Sequence, residues 1–169
     1  MSSPGNTAKL ANIRLIAFDV DGVFTDGRFY LSDTGVESKA FSTQDGFGIR
    51  RLLDAGVHVA VISGRSSKAV AQRMQELGVQ FVVQGCKDKV AAFDEICAEL
   101  GVGLEETAYT GDDVPDLPLL RHVAVSFAVA NAVAELHAEC DFVTTASGGF
   151  GAVREICDSL LGARQQDNL

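Results

Sequence analysis

Asp19 and Asp21 stand two residues apart in Asp19-Val20-Asp21-Gly22, and Asp112, Asp113 and Asp116 follow Gly111 far downstream. Carboxylates at i and i+2 of an extended strand end project from the same region. If the fold joins the two groups, several negative charges share a small volume, and they cannot all stay ionised without a cation. The ligands on offer are oxygens, with no clustered His or Cys, which suits Mg²⁺ rather than zinc. Two further clusters fit a phosphoryl group. Ser63 and the backbone N–H groups of Gly64 and Arg65 are placed to hold phosphate oxygens at a helix N-terminus. Lys89, in Lys87-Asp88-Lys89, supplies positive charge to phosphoryl oxygens and to an attacking carboxylate. Taken singly, each has an ordinary reading: Asp-x-Asp is common in an acidic chain, Ser63 suits a helix N-cap, and Lys89 suits a solvated surface. The weight lies in the four clusters together.

The elements around these clusters decide whether they meet. Residues 13–20 form a short apolar run, as expected of a strand buried on both faces. Similar runs lie at 57–62 and 79–83, with weaker ones at 107–109, 123–127 and 141–143. Helical patterns separate them at 46–55, 66–77, 88–100, 114–121, 131–138 and 150–161, and Gly56, Gly78 and Gly101 stand where C-terminal glycine caps are expected. Strands alternating with helices predict an α/β fold, a mainly parallel sheet flanked by helices. Its ligands bind beyond the carboxyl ends of the strands. Each cluster follows a predicted strand, so all four are expected at one sheet edge. The segment 23–41 breaks the rhythm: strand-like runs 27–32 and 36–41 flank Asp33-Thr34-Gly35, a hairpin inserted on the α/β plan.

The chain has 169 residues, 14 Lys+Arg against 23 Asp+Glu, a formal net charge of −9, and an apolar fraction of 47%. That suits one folded domain over 13–161, with flexible ends at 1–12 and 162–169. The charge disfavours nucleic acid and anionic membranes as partners. Cys86, Cys97, Cys140 and Cys157 form no CxxC pair and read as small core thiols in a reducing compartment. The opening residues carry no apolar run of a signal peptide, and no stretch approaches a membrane span, so a cytoplasmic location is expected. His58, His122 and His137 form no cluster, and His58 is expected to be a core residue of its strand.

The order DVDG, VFTDG, SGR, a lysine opening the third long helix and GDDVPD resembles the haloacid-dehalogenase superfamily of phosphatases over about residues 13–160. The similarity is greatest to the branch acting on 3-deoxy-D-manno-octulosonate (KDO) 8-phosphate, in lipopolysaccharide synthesis. The hairpin stands in place of a large cap domain, and FSTQDGFGIRRL and GGFGAVREICDSLL resemble segments of that branch. Where the branch usually has a basic or polar residue, this chain has Phe150.

The resemblance implies a Rossmann-like fold and a role for each residue. Asp19 would be the nucleophile and a Mg²⁺ ligand. Asp21 would be the general acid and base, binding the metal through its carbonyl. Asp112 would be a direct ligand, Asp113 and Asp116 supports, and Ser63 and Gly64 the phosphate site. Members without a cap are typically tetramers whose hairpins pack together, so a homo-oligomer, a tetramer through 27–41, is expected. For the substrate, Arg65 and Arg73 lie about 80° apart if both are on one helix, and would share a sugar carboxylate. Asp45 and Gly46 either meet substrate or cap their helix. Gly148, Gly149 and Gly151 would approach a neighbour's site, and Arg154 either takes part there or faces solvent. The alternative substrate is another acidic sugar phosphate, such as a sialic-type 9-phosphate. A receiver-like signalling domain would need its acceptor Asp on the third strand, where QFVVQG has none. A catalytically silent assembly protein would have lost one of Asp19, Asp21, Ser63, Lys89 or Asp112, and all are present.

Overall fold

The computed structural model describes residues 4–167, with side chains from 7 to 166. Six parallel strands form one sheet: β1 (Leu15–Phe18), β4 (His58–Ile62), β5 (Phe81–Val83), β6 (Thr107–Gly111), β7 (Val125–Ala128) and β8 (Phe142–Val143). Their spatial order is β5-β4-β1-β6-β7-β8. The four residues of β1 are fully buried, as the unbroken apolar run requires of a central parallel strand. The chain moves from β1 to β4 on one side and reaches β6 on the other, so the strand order reverses at β1. That reversal opens a crevice beyond the strand ends. Phe18 is in register with Val61 and with Thr110, so the residues after β1, β4 and β6 emerge side by side.

Helices α2 (Thr43–Asp54), α3 (Lys68–Leu77), α4 (Lys89–Leu100), α5 (Leu117–Leu120), α6 (Ala134–Glu139) and α7 (Ala152–Asp167) connect or follow the strands. Local chemistry sets their ends. Asp88 caps α4 by accepting from the Ala91 N–H at 3.0 Å. Gly78 and Gly101 end α3 and α4 in the left-handed conformation, and Gly56 follows the α2 cap at φ +78°. The predicted helix at 114–121 is instead a 3-10 turn, Val114–Asp116, followed by α5. The Asp113 cap and Pro115 tighten its start.

The hairpin strands β2 (Tyr30–Leu31) and β3 (Glu37–Ser38) pair antiparallel in a sheet of their own. They are shorter than the predicted runs, because their residues gain little burial to hold a longer ladder. Two expectations are corrected at the ends. Within 1–12, Pro4–Ala11 forms helix α1, which packs on α7 and buries Leu10. Within 162–169, α7 continues to Asp167, with Ala163 buried and Arg164 donating to the carbonyls of Ala55 and Ile13. Residues 1–3 and 168–169 lie outside the described residues. His58 is also corrected: it opens β4 and is only half-buried. Among the described residues, no helix is long and apolar enough to cross a membrane.

The glycine-rich tail packs on the loop that follows β1 in its own chain. A Cβ at Gly148 would lie 1.8 Å from the Gly22 carbonyl oxygen. Asn131 locks the contact, donating to that carbonyl at 3.1 Å and accepting from the Gly148 N–H at 2.6 Å. Gly148→Ala should therefore destabilise the fold by about 1–3 kcal/mol. Gly162→Ala, inside α7 with open space around it, should stabilise by about 0.5–1 kcal/mol. Denaturant midpoints of the two variants check this; equal effects would contradict the packing argument.

Candidate active site

Asp116 organises the strand-end crevice. It is buried, and both of its oxygens are engaged. Oδ1 accepts from Lys89 Nζ at 2.7 Å and from the Tyr109 hydroxyl at 2.6 Å. Oδ2 accepts from the Asp112 and Asp113 N–H groups at 3.0 and 3.3 Å. Four donors make a buried charge tolerable and clamp the loop after β6. Lys89, the first residue of α4, lies also 3.0 Å from Asp19 Oδ2. Burial opposes its charge, yet Asp19 and Asp116 outweigh burial, and its pKa is raised. Burial first, then Asp116 and Asp19, push the Tyr109 hydroxyl well above its ordinary range, so it stays a phenol that donates. Tyr109 was not singled out in the sequence. Its only signal was a tyrosine in the strand that precedes the second acidic group.

Asp19 follows β1, its N–H donating to the Thr110 carbonyl at 3.0 Å. Its Oδ1 accepts from the Val20 N–H at 2.7 Å. Oxygens of Asp19, Asp112 and Asp116 lie within 4.8 Å of one another. Gly22 makes this approach possible: its φ is +83°, and a Cβ there would lie 1.9 Å from Asp112 Oδ2. Burial and then Asp116 raise the pKa of Asp19 to about 6 and of Asp112 to about 7. Among the described residues, nothing donates to the Asp112 carboxylate or to the Asp21 carbonyl. Asp112, Asp19 and that carbonyl thus offer an all-oxygen set for a hard divalent cation, while Asp116 is occupied in holding Lys89 and the loop.

Ser63 and Gly64 follow β4. Ser63 is buried, and its Oγ accepts from the Arg65 N–H at 3.3 Å. It does not cap α3, whose N-cap is Ser67. The resulting cavity of about 300 Å³ is lined by Asp19, Asp21, Ser63, Gly64, Arg65, Lys89, Asp112, Asp113 and Asp116, with Gly27 and Pro115. All four sequence clusters therefore meet.

Three expected substrate contacts do not join them. Arg65 precedes α3, so the helical projection linking it to Arg73 does not apply. Arg73 pairs with Glu76 at 3.3 Å and lies against Gly46, where a Cβ would be 2.4 Å from its Nη2. Asp45 is buried and accepts from the Arg154 N–H at 2.9 Å, capping the start of α7. Burial raises its pKa against the pull of the Arg154 and Gly151 N–H groups. Gly46 shares this interior. The Arg154 side chain lies over Phe47 at 5.3 Å and reaches Asp158, while Phe150 is 72% exposed.

Two hairpin residues missed in the sequence also reach the site. Glu37 accepts from Arg65 Nη2 at 2.6 Å, and Lys39 pairs with Asp21 Oδ1. The signal was their i, i+2 spacing, which puts both on one face of the strand.

The raised carboxylate pKa values fix the sign of a cation effect. Their protonated forms stabilise the metal-free fold below about pH 4. That stability is lost as pH rises through 6 and 7. A divalent cation competes with those protons and relieves the repulsion. The thermal stabilisation by MgCl₂ should therefore grow from pH 5.5 to pH 8; a gain independent of pH would contradict the carboxylate assignment.

A family model described as haloacid dehalogenase-like hydrolase matches residues 81–154. The 3-deoxy-D-manno-octulosonate 8-phosphate phosphatase KdsC of Escherichia coli K12 is 45% identical over 157 residues, 93% of this chain and 84% of that protein. The Yersinia pestis phosphatase of the same name superposes with a TM-score of 0.93 at 43% identity, covering 95% of this chain and 86% of that one. The Moraxella catarrhalis phosphatase, solved with magnesium, phosphate and KDO, superposes with a TM-score of 0.92 at 40% identity, covering 96% and 93%. With its strand-end carboxylates and this likeness along nearly its whole length, the chain belongs to the KDO 8-phosphate phosphatase family of haloacid dehalogenase-like hydrolases.

Proposed function

We propose that this chain is a Mg²⁺-dependent phosphatase that converts KDO 8-phosphate to KDO and phosphate, in lipopolysaccharide synthesis. The observation that carries the reading is Asp19 in the strand-end cavity, between Lys89 and Asp112, with Asp21 two residues on. Residues 13–161 form the catalytic unit. Asp19, Asp112 and the Asp21 carbonyl would hold Mg²⁺, which supplies fixed positive charge against the crowded carboxylates and the phosphoryl oxygens.

An Asp19 carboxylate oxygen attacks phosphorus. As that bond forms, the bond from phosphorus to the sugar oxygen breaks, and its electron pair leaves with the oxygen. Asp21 donates a proton there, because a sugar alkoxide is a poor leaving group. In the second step Asp21 takes a proton from water, whose oxygen attacks phosphorus. The bond to Asp19 breaks, restoring the carboxylate and releasing phosphate. Lys89 keeps its charge throughout and steadies the phosphoryl oxygens. Ser63 and Gly64 receive the phosphate, and Arg65 at the rim is the substrate contact this reading retains.

Asp19→Asn should abolish turnover while the variant still unfolds cooperatively; retained phosphate release would remove Asp19 as the nucleophile. In a panel with MgCl₂, kcat/KM for KDO 8-phosphate should exceed that for a sialic-type 9-phosphate and for hexose phosphates by about 100-fold or more. EDTA should abolish all turnover. Even, weak activity would keep the chemistry and reject the substrate.

The same reading makes the protein a cytoplasmic homo-oligomer, a tetramer through the hairpin. Tyr30, Leu31 and Val36 are 62–75% exposed on a two-stranded ribbon, and such a ribbon is marginal without a packing partner. A net charge of −9 argues against nucleic acid or anionic membrane as partners. Leu31→Glu should lower the mass measured by light scattering; an unchanged mass would remove the hairpin from assembly.

A further inference from the structure

The Lys39 side chain is 1% exposed, although Ser38 and Ala40 on either side of it are exposed. A buried ammonium group is costly unless it is paired, and both partners of this one bear on the active site. Lys39 Nζ pairs with Asp21 Oδ1 and lies 3.5 Å from Glu37 Oε1. Glu37 in turn accepts from Arg65, whose Nε lies 3.8 Å from Asp21 Oδ2. The Arg65 guanidinium also sits 4.2 Å over the Phe29 ring. The hairpin's apolar residues Tyr30, Leu31 and Val36 face outward, so these charges fasten it to the body. They also grip the Asp21 carboxylate from two sides, one cation on the hairpin and one on the loop after β4.

We propose that Lys39 is a positioning residue: it holds the Asp21 carboxylate at the angle from which it exchanges protons with the sugar oxygen and with water. Glu37 is its second partner, so Lys39 stays compensated while Asp21 passes through its neutral form. The inference rests on the reading of Asp21 as proton donor and acceptor.

p-Nitrophenyl phosphate separates the two steps. Its phenolate leaves without a proton, so attack by Asp19 needs no help from Asp21, whereas the hydrolysis that follows does. Lys39→Met, with MgCl₂ in stopped flow, should release a burst of about one p-nitrophenolate per subunit and then turn over about 10-fold or more slower than wild type. With KDO 8-phosphate it should lose at least as much, with no burst. Lys39→Arg should recover part of the rate. A loss without a burst, or turnover within about twofold of wild type on both substrates, would overturn the proposal. Asp21→Asn is the control. If it gives no burst, the reading of Asp21 fails. If it bursts and Lys39→Met does not, only the role of Lys39 fails. Should Lys39→Met not fold, Glu37→Gln carries the test, with a burst and a smaller loss of turnover expected, and a loss without a burst or turnover within about twofold of wild type again overturning the proposal.

Discussion

Crowding of negative charge at the reversal point of the sheet is the constraint on which the rest of the structure depends. Asp19, Asp112 and Asp116 bring oxygens within 4.8 Å of one another, and only Asp116 is fully compensated by the protein. Lys89 and Tyr109 donate to one of its oxygens, and two backbone N–H groups donate to the other. This leaves the Asp112 carboxylate open and Asp19 sharing Lys89 with Asp116, with both pKa values pushed up. The division of labour follows from burial. The deepest carboxylate is spent on architecture, and the two nearer the cavity stay available for a cation and a phosphoryl group.

Holding such a cluster in one place requires rigid surroundings. β1 is fully buried, so Asp19 begins from a fixed strand end. The loop after it cannot swing, because Gly148 and Gly149 lie flush on residues 22–26 and Asn131 bonds both sides of the contact. The tail is held in turn by Asp45, whose carboxylate meets the first turn of α7, where the helix dipole favours negative charge. The other Asp45 oxygen is buried without a hydrogen-bond partner, a cost the fold carries to keep α2 and α7 together. A chain of contacts thus runs from the start of α2, through α7 and the glycines, to the loop that follows Asp19.

How much of this was legible follows the range of each interaction. The central strands could be read because burial on both faces imposes an unbroken apolar run. The four clusters could be read because parallel strands must deliver their following residues to one edge. Side-chain direction away from that edge was not legible. Arg73 was assigned to the sugar by a helical projection that fails because Arg65 lies before the helix. Asp45 and Arg154 meet across 109 positions, and no local pattern encodes that pairing. Pro4–Ala11 is polar on balance and reads as a loose end. Its helix exists because Leu10 finds a site on α7. Tyr109 and Lys39 were missed for a similar reason. A tyrosine in a short strand and a lysine on a hairpin are ordinary until their partners are known.

The hairpin shows why such a partner matters. Its backbone pairing is two residues on each strand, too little to fix a ribbon in water, and its apolar side chains Tyr30, Leu31 and Val36 are exposed. What orients it is charge, through Glu37 and Lys39 toward Arg65 and Asp21. A ribbon anchored this way is fastened to two residues that line the cavity. A phosphate dianion beside Arg65 would compete with Glu37 for the guanidinium. The element that stands in for a cap domain is thereby tied to the same charge balance that drives the chemistry. Its orientation and the rim of the cavity therefore rest on one set of charges.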